Sequence, residues 1–159
     1  MKKALFILNI ILLITWMGVI FNFSNDTGTE SGSKSEKVLI KIVETFKREK
    51  LTSEQKEKII NKYGLLIRKT AHMFVYFILS ILAYLLLKQI YGLKPVTIIY
   101  TLIFCFIYAC TDEIHQAFIP GRGPSFIDVL IDTCGSIISL IIPTLKLCYN
   151  KNRRWIYEL

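Results

Sequence analysis

Apolar residues gather into four runs, Ala4–Phe23, Leu65–Leu87, Val96–Ile114 and Phe126–Leu147, divided by one long charged stretch and two short polar ones. The hydrocarbon core of a bilayer is ~30 Å thick and needs roughly 20 helical residues, with ~17 a practical lower bound. Each run meets or approaches that length. The third does so only by including Asp112 and Glu113, so its end is expected to be interfacial or solvated from within. The pattern predicts an all-α integral membrane protein, a four-transmembrane-helix bundle forming a single domain over residues 1–159. A hydrophobic fraction of 53% and a mean hydropathy of +0.46 agree with this, although both averages hide the alternation.

The stretch between the first two runs, residues 24–64, is expected outside the membrane. Ser24 to Ser35 is rich in Ser, Gly, Thr and Asn and reads as irregular chain. Residues 36–62 are dense in charge of both signs, with Val38, Leu39, Ile42, Val43 and Phe46 at helical spacing. Ser33 with Glu36, and Thr52 with Gln55, have the spacing of a capping box. Two short extracytoplasmic helices are therefore expected, lying on the lipid surface or covering the bundle.

Charge sets the orientation. The N-terminus, the turn at Lys88–Pro95 and the C-terminal tail together hold Lys2, Lys3, Lys88, Lys94, Lys146, Lys151, Arg153 and Arg154 against one acid, Glu158. Residues 24–66 are nearly balanced, nine Lys and Arg against seven Asp and Glu. The positive-inside rule then puts both termini in the cytoplasm of a plasma membrane and residues 24–66 outside. The first run is longer than a signal-peptide core and lacks a small-x-small cleavage site, so it reads as a retained helix. The net charge of +8 is accounted for by these loops, and no nucleic-acid-binding motif accompanies it. The four cysteines, Cys105, Cys110, Cys134 and Cys148, show no CxxC or zinc-ribbon spacing and read as small buried apolar residues.

Against this apolar background the polar residues near the outer ends of the runs stand out. Arg68, His72 and Tyr76 are spaced i, i+4, i+8, and Asp112, His115 and Gln116 are spaced i, i+3, i+4. Asp128 and Asp132 are spaced i, i+4, followed by Gly135 and Ser136, small enough for a neighbouring helix to approach. Acids within a span cost roughly 2.5–3.5 kcal/mol each at the bilayer centre on insertion scales and persist beside polar partners or a cavity. Helical rise puts His72 and Asp132 at a common depth of about 7–8 Å below the outer surface, with Arg68 and Asp128 together one turn higher. The expectation is one outward-opening pocket lined by Arg68, His72, Tyr76, Asp112, Glu113, His115, Gln116, Asp128 and Asp132, capped by Arg122 from the Gly-Arg-Gly turn. A plainer reading makes these groups ion pairs that lock the bundle. Their number at one depth exceeds what locking needs, because small residues and dispersion already hold such bundles together.

Two arginines favour an anionic head group, gripped in bidentate fashion, over a metal ion, which they would repel. Asp-Glu-Ile-His is not the zincin His-Glu-x-x-His pattern, and no Gly-rich nucleotide loop occurs, so neither metal nor cofactor is expected. No nucleophile is convincing. If the protein is an enzyme, an envelope transferase or hydrolase, His72, His115 and Asp112 are the candidate proton carriers. A third reading makes it a structural partner of another membrane protein, docking through residues 36–62.

The chain resembles the VanZ-like family of membrane proteins, named for a teicoplanin-resistance accessory protein. The matching pieces are Phe23-Ser24, Arg68-Lys69-Thr70-Ala71-His72 with Tyr76, Asp112-Glu113-Ile114-His115-Gln116 with Phe118 and Pro120-Gly121-Arg122, and Asp128-Val129 with Asp132 and Gly135. Asn25 departs from the serine that many relatives carry there. The resemblance implies a bacterial cell-envelope protein of the plasma membrane, with antibiotic resistance of the teicoplanin kind as its namesake's role. A lipid-linked cell-wall precursor or a glycopeptide is then the partner to expect beside the bilayer itself.

Overall fold

The computed structural model describes the backbone of residues 2–157 and the side chains of residues 3–150. The side chains of Lys2, Lys151, Arg153 and Arg154, and residue Glu158, all used in the orientation count, lie outside the described residues. Within them the chain is all-helical: α1 (Lys2–Ser24), α2 (Gly28–Lys47), α3 (Ser53–Tyr91), α4 (Pro95–Gln116), α5 (Phe126–Ser139) and α6 (Ile141–Tyr157). Three of these, α1, α3 and α4, are long and apolar enough to cross a membrane singly, and α5 with α6 reaches that standard as a pair bent by 42°. The protein is a multi-pass membrane protein.

The extramembrane part differs from expectation. Residues 28–35 are helix, not loop, because the effective capping box is Thr27 with Glu30 rather than Ser33 with Glu36. The Glu30 amide donates to Thr27 Oγ1, and the Thr27 amide donates to Glu30 Oε2 at 2.9 Å. The Thr52–Gln55 box does form, but the helix it starts is not short. It runs unbroken through Gly64 into the span, 39 residues in all. The fall in polarity near Leu65 changes the solvent around the helix, not its hydrogen bonding. One glycine, costing about 1 kcal/mol, does not stop so long a helix.

α2 folds back along the N-terminal half of α3. Arg48 makes the reversal in a left-handed conformation, φ 54°. The Leu51 amide donates to Glu44 Oε1 at 3.1 Å, Lys56 Nζ reaches the same oxygen at 3.2 Å, and Leu39 and Leu51 are buried. The Leu51 N–H, aided by Lys56, holds the Glu44 carboxyl below its ordinary value of 4.5. A depressed folded value means a contribution present above the unfolded value and lost as pH falls through the folded one. Amide exchange at Leu51 and the first turn of α3, after correction for intrinsic rate, should therefore lose protection on acidification below the ordinary glutamate range. Glu44→Gln should remove that dependence.

Inside the bundle α3 is central. It packs most extensively on α5, and also touches α2, α4 and α1. Tyr76, Leu79, Ala83, Cys105, Ala109 and Val129 form the shared core with Leu13 and Ile20 of α1. At the α3–α5 crossing, a Cβ on Gly135 would overlap the Met73 carbonyl. The close approach is completed by Ser80 Oγ donating to the Ser136 carbonyl at 3.2 Å. Trp16 Nε1 donates to the Val75 carbonyl at 2.9 Å and Tyr108 OH to the Met17 carbonyl at 2.8 Å, fixing α1 against α3 and α4. The fourth span is not one helix. Pro143 lacks an N–H and its ring opposes the Ser139 carbonyl, which places the break at Leu140. Of the cysteines only Cys105 is buried; Cys134 and Cys148 are exposed and Cys110 is intermediate. In a membrane an apolar run is as much lipid-facing as core-facing, which is why the expectation of four buried thiols fails.

Candidate functional site

A cavity of about 420 Å³ lies beside the C-terminal end of α1, between α2 and α3. Arg68 and His72 of α3 and Arg122 line it, joined by Asp26 and Lys34. Lys34 Nζ pairs with Asp26 at 2.6 Å. The remaining wall is mainly apolar, from Phe23, Val38, Ile67, Phe74 and Val75. Three of the ten sequence-predicted ligand residues, Arg68, His72 and Arg122, thus share this space.

Arg122 is brought there by a pinned turn. The Pro120 carbonyl accepts the Gly28 N–H at 3.3 Å, and Gly121 has φ +73°. A Cβ on Gly28 would overlap the Gly121 carbonyl, so the first turn of α2 sits directly on this turn. On the other side the Ser125 amide donates to Glu113 Oε2 at 2.9 Å, and the Ser125 hydroxyl caps α5. Arg122 Nη2 donates to the Phe23 carbonyl at 3.3 Å, while Nη1 is buried without a partner among the described residues. Burial lowers the guanidinium's pKa from its ordinary value; Asp26 acts against this, while Arg68 adds to it. The result is a half-buried cation with spare donor capacity facing a second arginine.

Behind this wall is a separate buried cluster. Asp112 accepts from Ser24 Oγ at 2.5 Å and from Gln116 Nε2 at 2.8 Å, and the same amide reaches Ser24 Oγ at 3.3 Å. Asp112, Glu113 and Gln116 are all buried, and Asp132 is 0% exposed. Neither Asp132 oxygen has a hydrogen-bond partner among the described residues, nor does the equally buried Tyr76 hydroxyl. Glu113 Oε1 is likewise unpartnered.

The other residues point elsewhere. His115 Nε2 lies 2.9 Å from Asn25 Oδ1, and its ring stacks on Phe21 at 4.6 Å. Asp128 is not beside Arg68; it pairs with Lys69 at 3.0 Å. The cause is helical rotation. Two steps of four residues turn the helix by about 80°. Lys69, Met73, Tyr76 and Ser80 therefore form the stripe that meets α5, while Arg68, Ala71, His72 and Val75 face the cavity. The α2 wall, Ser31, Lys34, Ser35 and Val38, is not among the residues that the sequence points to: the composition of Ser24 to Ser35 favours loop, and Val38, though on an expected helix, carries no polar group to mark it. The Thr27–Glu30 spacing was the signal that could have found it.

The order of these pieces along the chain can be compared with known families. A family model described as VanZ/LLP1 matches residues 8–147, most of the chain. The chain belongs to the VanZ/LLP1 family. The matched region of this VanZ/LLP1 protein takes in α2, the Arg122 turn, α5 and the first seven residues of α6. Comparison with curated proteins and with solved structures gives no match. Among the described residues no group of three or more His, Cys, Asp or Glu is placed to hold a metal.

Proposed function

We propose that this VanZ/LLP1 protein binds an anionic group of a cell-envelope molecule in the cavity beneath α2, and that through this binding it changes the envelope's response to glycopeptides such as teicoplanin. One observation carries the reading: Arg68 and Arg122 line a common 420 Å³ space, and Arg122 keeps an unpartnered, buried Nη1. Spare guanidinium donors suit phosphate or carboxylate oxygens. His72, on the same wall, adds a third nitrogen donor. Asp112, Glu113 and Gln116 support the arrangement from behind through Ser24 and Ser125. The cavity is assigned to the face opposite the turn at Lys88–Pro95, and the charge count makes that the outer face of a bacterial plasma membrane.

The test uses the purified full chain in detergent, with decyl phosphate as the probe and native mass spectrometry as the readout. Arg122→Gln should weaken binding about tenfold or more, from the loss of a charge-assisted contact of ~1.5–3 kcal/mol. Arg68→Gln should do the same, and the double variant should bind no better than either. Cells producing each variant should lose any difference in teicoplanin sensitivity that the wild type confers. Unchanged binding in both single variants would remove the reading.

A second reading, a transferase or hydrolase, is favoured by a different observation: His72 is the one histidine on the cavity wall. It predicts that His72→Gln weakens probe binding less than either arginine change but abolishes turnover of an envelope phosphoester. His115 is the weaker proton carrier, since Asn25 and Phe21 hold it away from the cavity.

A further inference from the structure

The cavity has a direction. Its cations are Arg68, Arg122 and Lys34, the last paired with Asp26, and beyond Arg68 the α3 wall continues through Ala71, His72, Phe74 and Val75, apolar apart from the imidazole. From Arg68 to Val75 is about 10 Å of helical rise. That rise leads from the start of the apolar run towards the membrane interior, since α3 turns apolar near Leu65 and Val75 is already level with Trp16 of α1. Polar at the interface and apolar further in is the polarity of a membrane lipid. The rim is also open sideways. Phe23 of α1 is 50% exposed, Val38 of α2 is 52% and Phe74 of α3 is 59%, and Thr70 and Ala71 are exposed as well. Phe23 of α1 and Thr70, Ala71 and Phe74 of α3 thus line the cavity while remaining exposed, along the crevice between these two helices, and Val38 does so from α2. Overhead the first turns of α2, held to the Pro120–Gly121 turn, form a roof.

We infer that the ligand is a lipid phosphate from the adjoining leaflet, which enters sideways through the α1–α3 crevice. Its head group lies under α2 against Arg68 and Arg122, and its hydrocarbon chain runs along Ala71, Phe74 and Val75 into the bilayer. This rests on the anion-binding reading above and adds to it both the ligand class and the route. Charge complementarity selects the phosphate end. Size supports the split placement: about 420 Å³ is at the small end of ligand pockets, room for a head group and the first carbons but not for a whole lipid. The rest of the chain stays in the membrane, where its transfer costs nothing further.

The experiment places the full chain in nanodiscs of zwitterionic lipid and compares three probes. One is a long-chain alkyl phosphate bearing a photoreactive diazirine in its tail, one is glycerol phosphate, and one is diacylglycerol with the same diazirine. The alkyl phosphate should cross-link to peptides containing Thr70, Phe74 or Phe23. Glycerol phosphate should compete at least tenfold more weakly than unlabelled alkyl phosphate. Ala71→Trp, at an exposed position on the hydrocarbon path, should abolish the cross-link. Equal competition by glycerol phosphate and alkyl phosphate, both dependent on Arg68 and Arg122, would overturn the lateral route and leave the anion reading standing. Cross-linking of diacylglycerol as strong as that of the phosphate would overturn the anion reading itself. Labelling spread evenly over the lipid-facing helices would overturn the lipid site.

Discussion

Replacing Gly135 by alanine is expected to lower the stability of the folded bundle by about 3 kcal/mol, and replacing it by leucine to leave little folded protein. Overpacking a core typically costs ~1–3 kcal/mol. Here the opposing atoms are backbone, the Met73 carbonyl, so no side chain can rotate out of the way. The helices have to separate, and the Ser80–Ser136 contact at 3.2 Å lengthens with them. Because α3–α5 is the most extensive helix contact, the damage spreads through the shared core. Gly18→Ala is the matched control. Nothing lies within 4 Å of a Cβ there, and alanine is the better helix former, so stability should be unchanged or rise by up to about 1 kcal/mol. Loss of helical circular dichroism on titration from mild detergent into SDS measures both. Equal midpoints for Gly135→Ala and wild type would mean that the crossing is not as close as described.

The second large effect separates two acids that look alike in the sequence. Asp112→Asn should destabilise by about 2 kcal/mol, whereas Asp132→Asn should leave stability within about 1 kcal/mol or raise it. Asp112 accepts two hydrogen bonds, from Ser24 and Gln116. An asparagine there leaves one acceptor where two donors converge, so either the Gln116 amide or the Ser24 hydroxyl loses its acceptor, and a buried unpaired donor costs ~1–3 kcal/mol. Flipping the Gln116 amide relieves one contact but withdraws the amide from Ser24 Oγ. Asp132 makes no hydrogen bond among the described residues, so the neutral amide of the same shape has nothing to lose. The same detergent titration ranks the two, and the opposite order would show that Asp132 is the partnered acid.

How much of this was legible beforehand follows from what each feature depends on. Span positions depend on composition alone, so the four apolar runs coincide with α1, the second half of α3, α4 and the α5–α6 pair. Helix starts depend on local side-chain to backbone bonds, and Thr52–Gln55 was readable for that reason. Thr27–Glu30 was equally local but lay hidden in a stretch whose Ser and Gly content suggested loop. The bend at Leu140 was encoded by Pro143, whose effect falls a full turn before its own position. Which polar faces meet was not legible from spacing. Arg68 and Lys69 are neighbours in the chain, yet one lines the cavity and the other pairs with Asp128. One residue is about 100° of rotation, and the rotational setting of α3 is fixed by the glycine at 135 and the serines beyond it. His115 fits the same lesson: i, i+3 from Asp112 is one broad face, but its two ends reach Asn25 and Ser24 separately.

The unbroken course of α3 also gives the molecule a lever. Thirty-nine residues make a rod of about 58 Å, nearly twice the ~30 Å hydrocarbon thickness, with Arg68 and His72 close to its fulcrum. Rocking that rod by ten degrees sweeps its Ser53 end through about 10 Å relative to its Tyr91 end. A force applied to the α2–α3 hairpin is therefore delivered, without a joint to absorb it, to the place where the two arginines face each other.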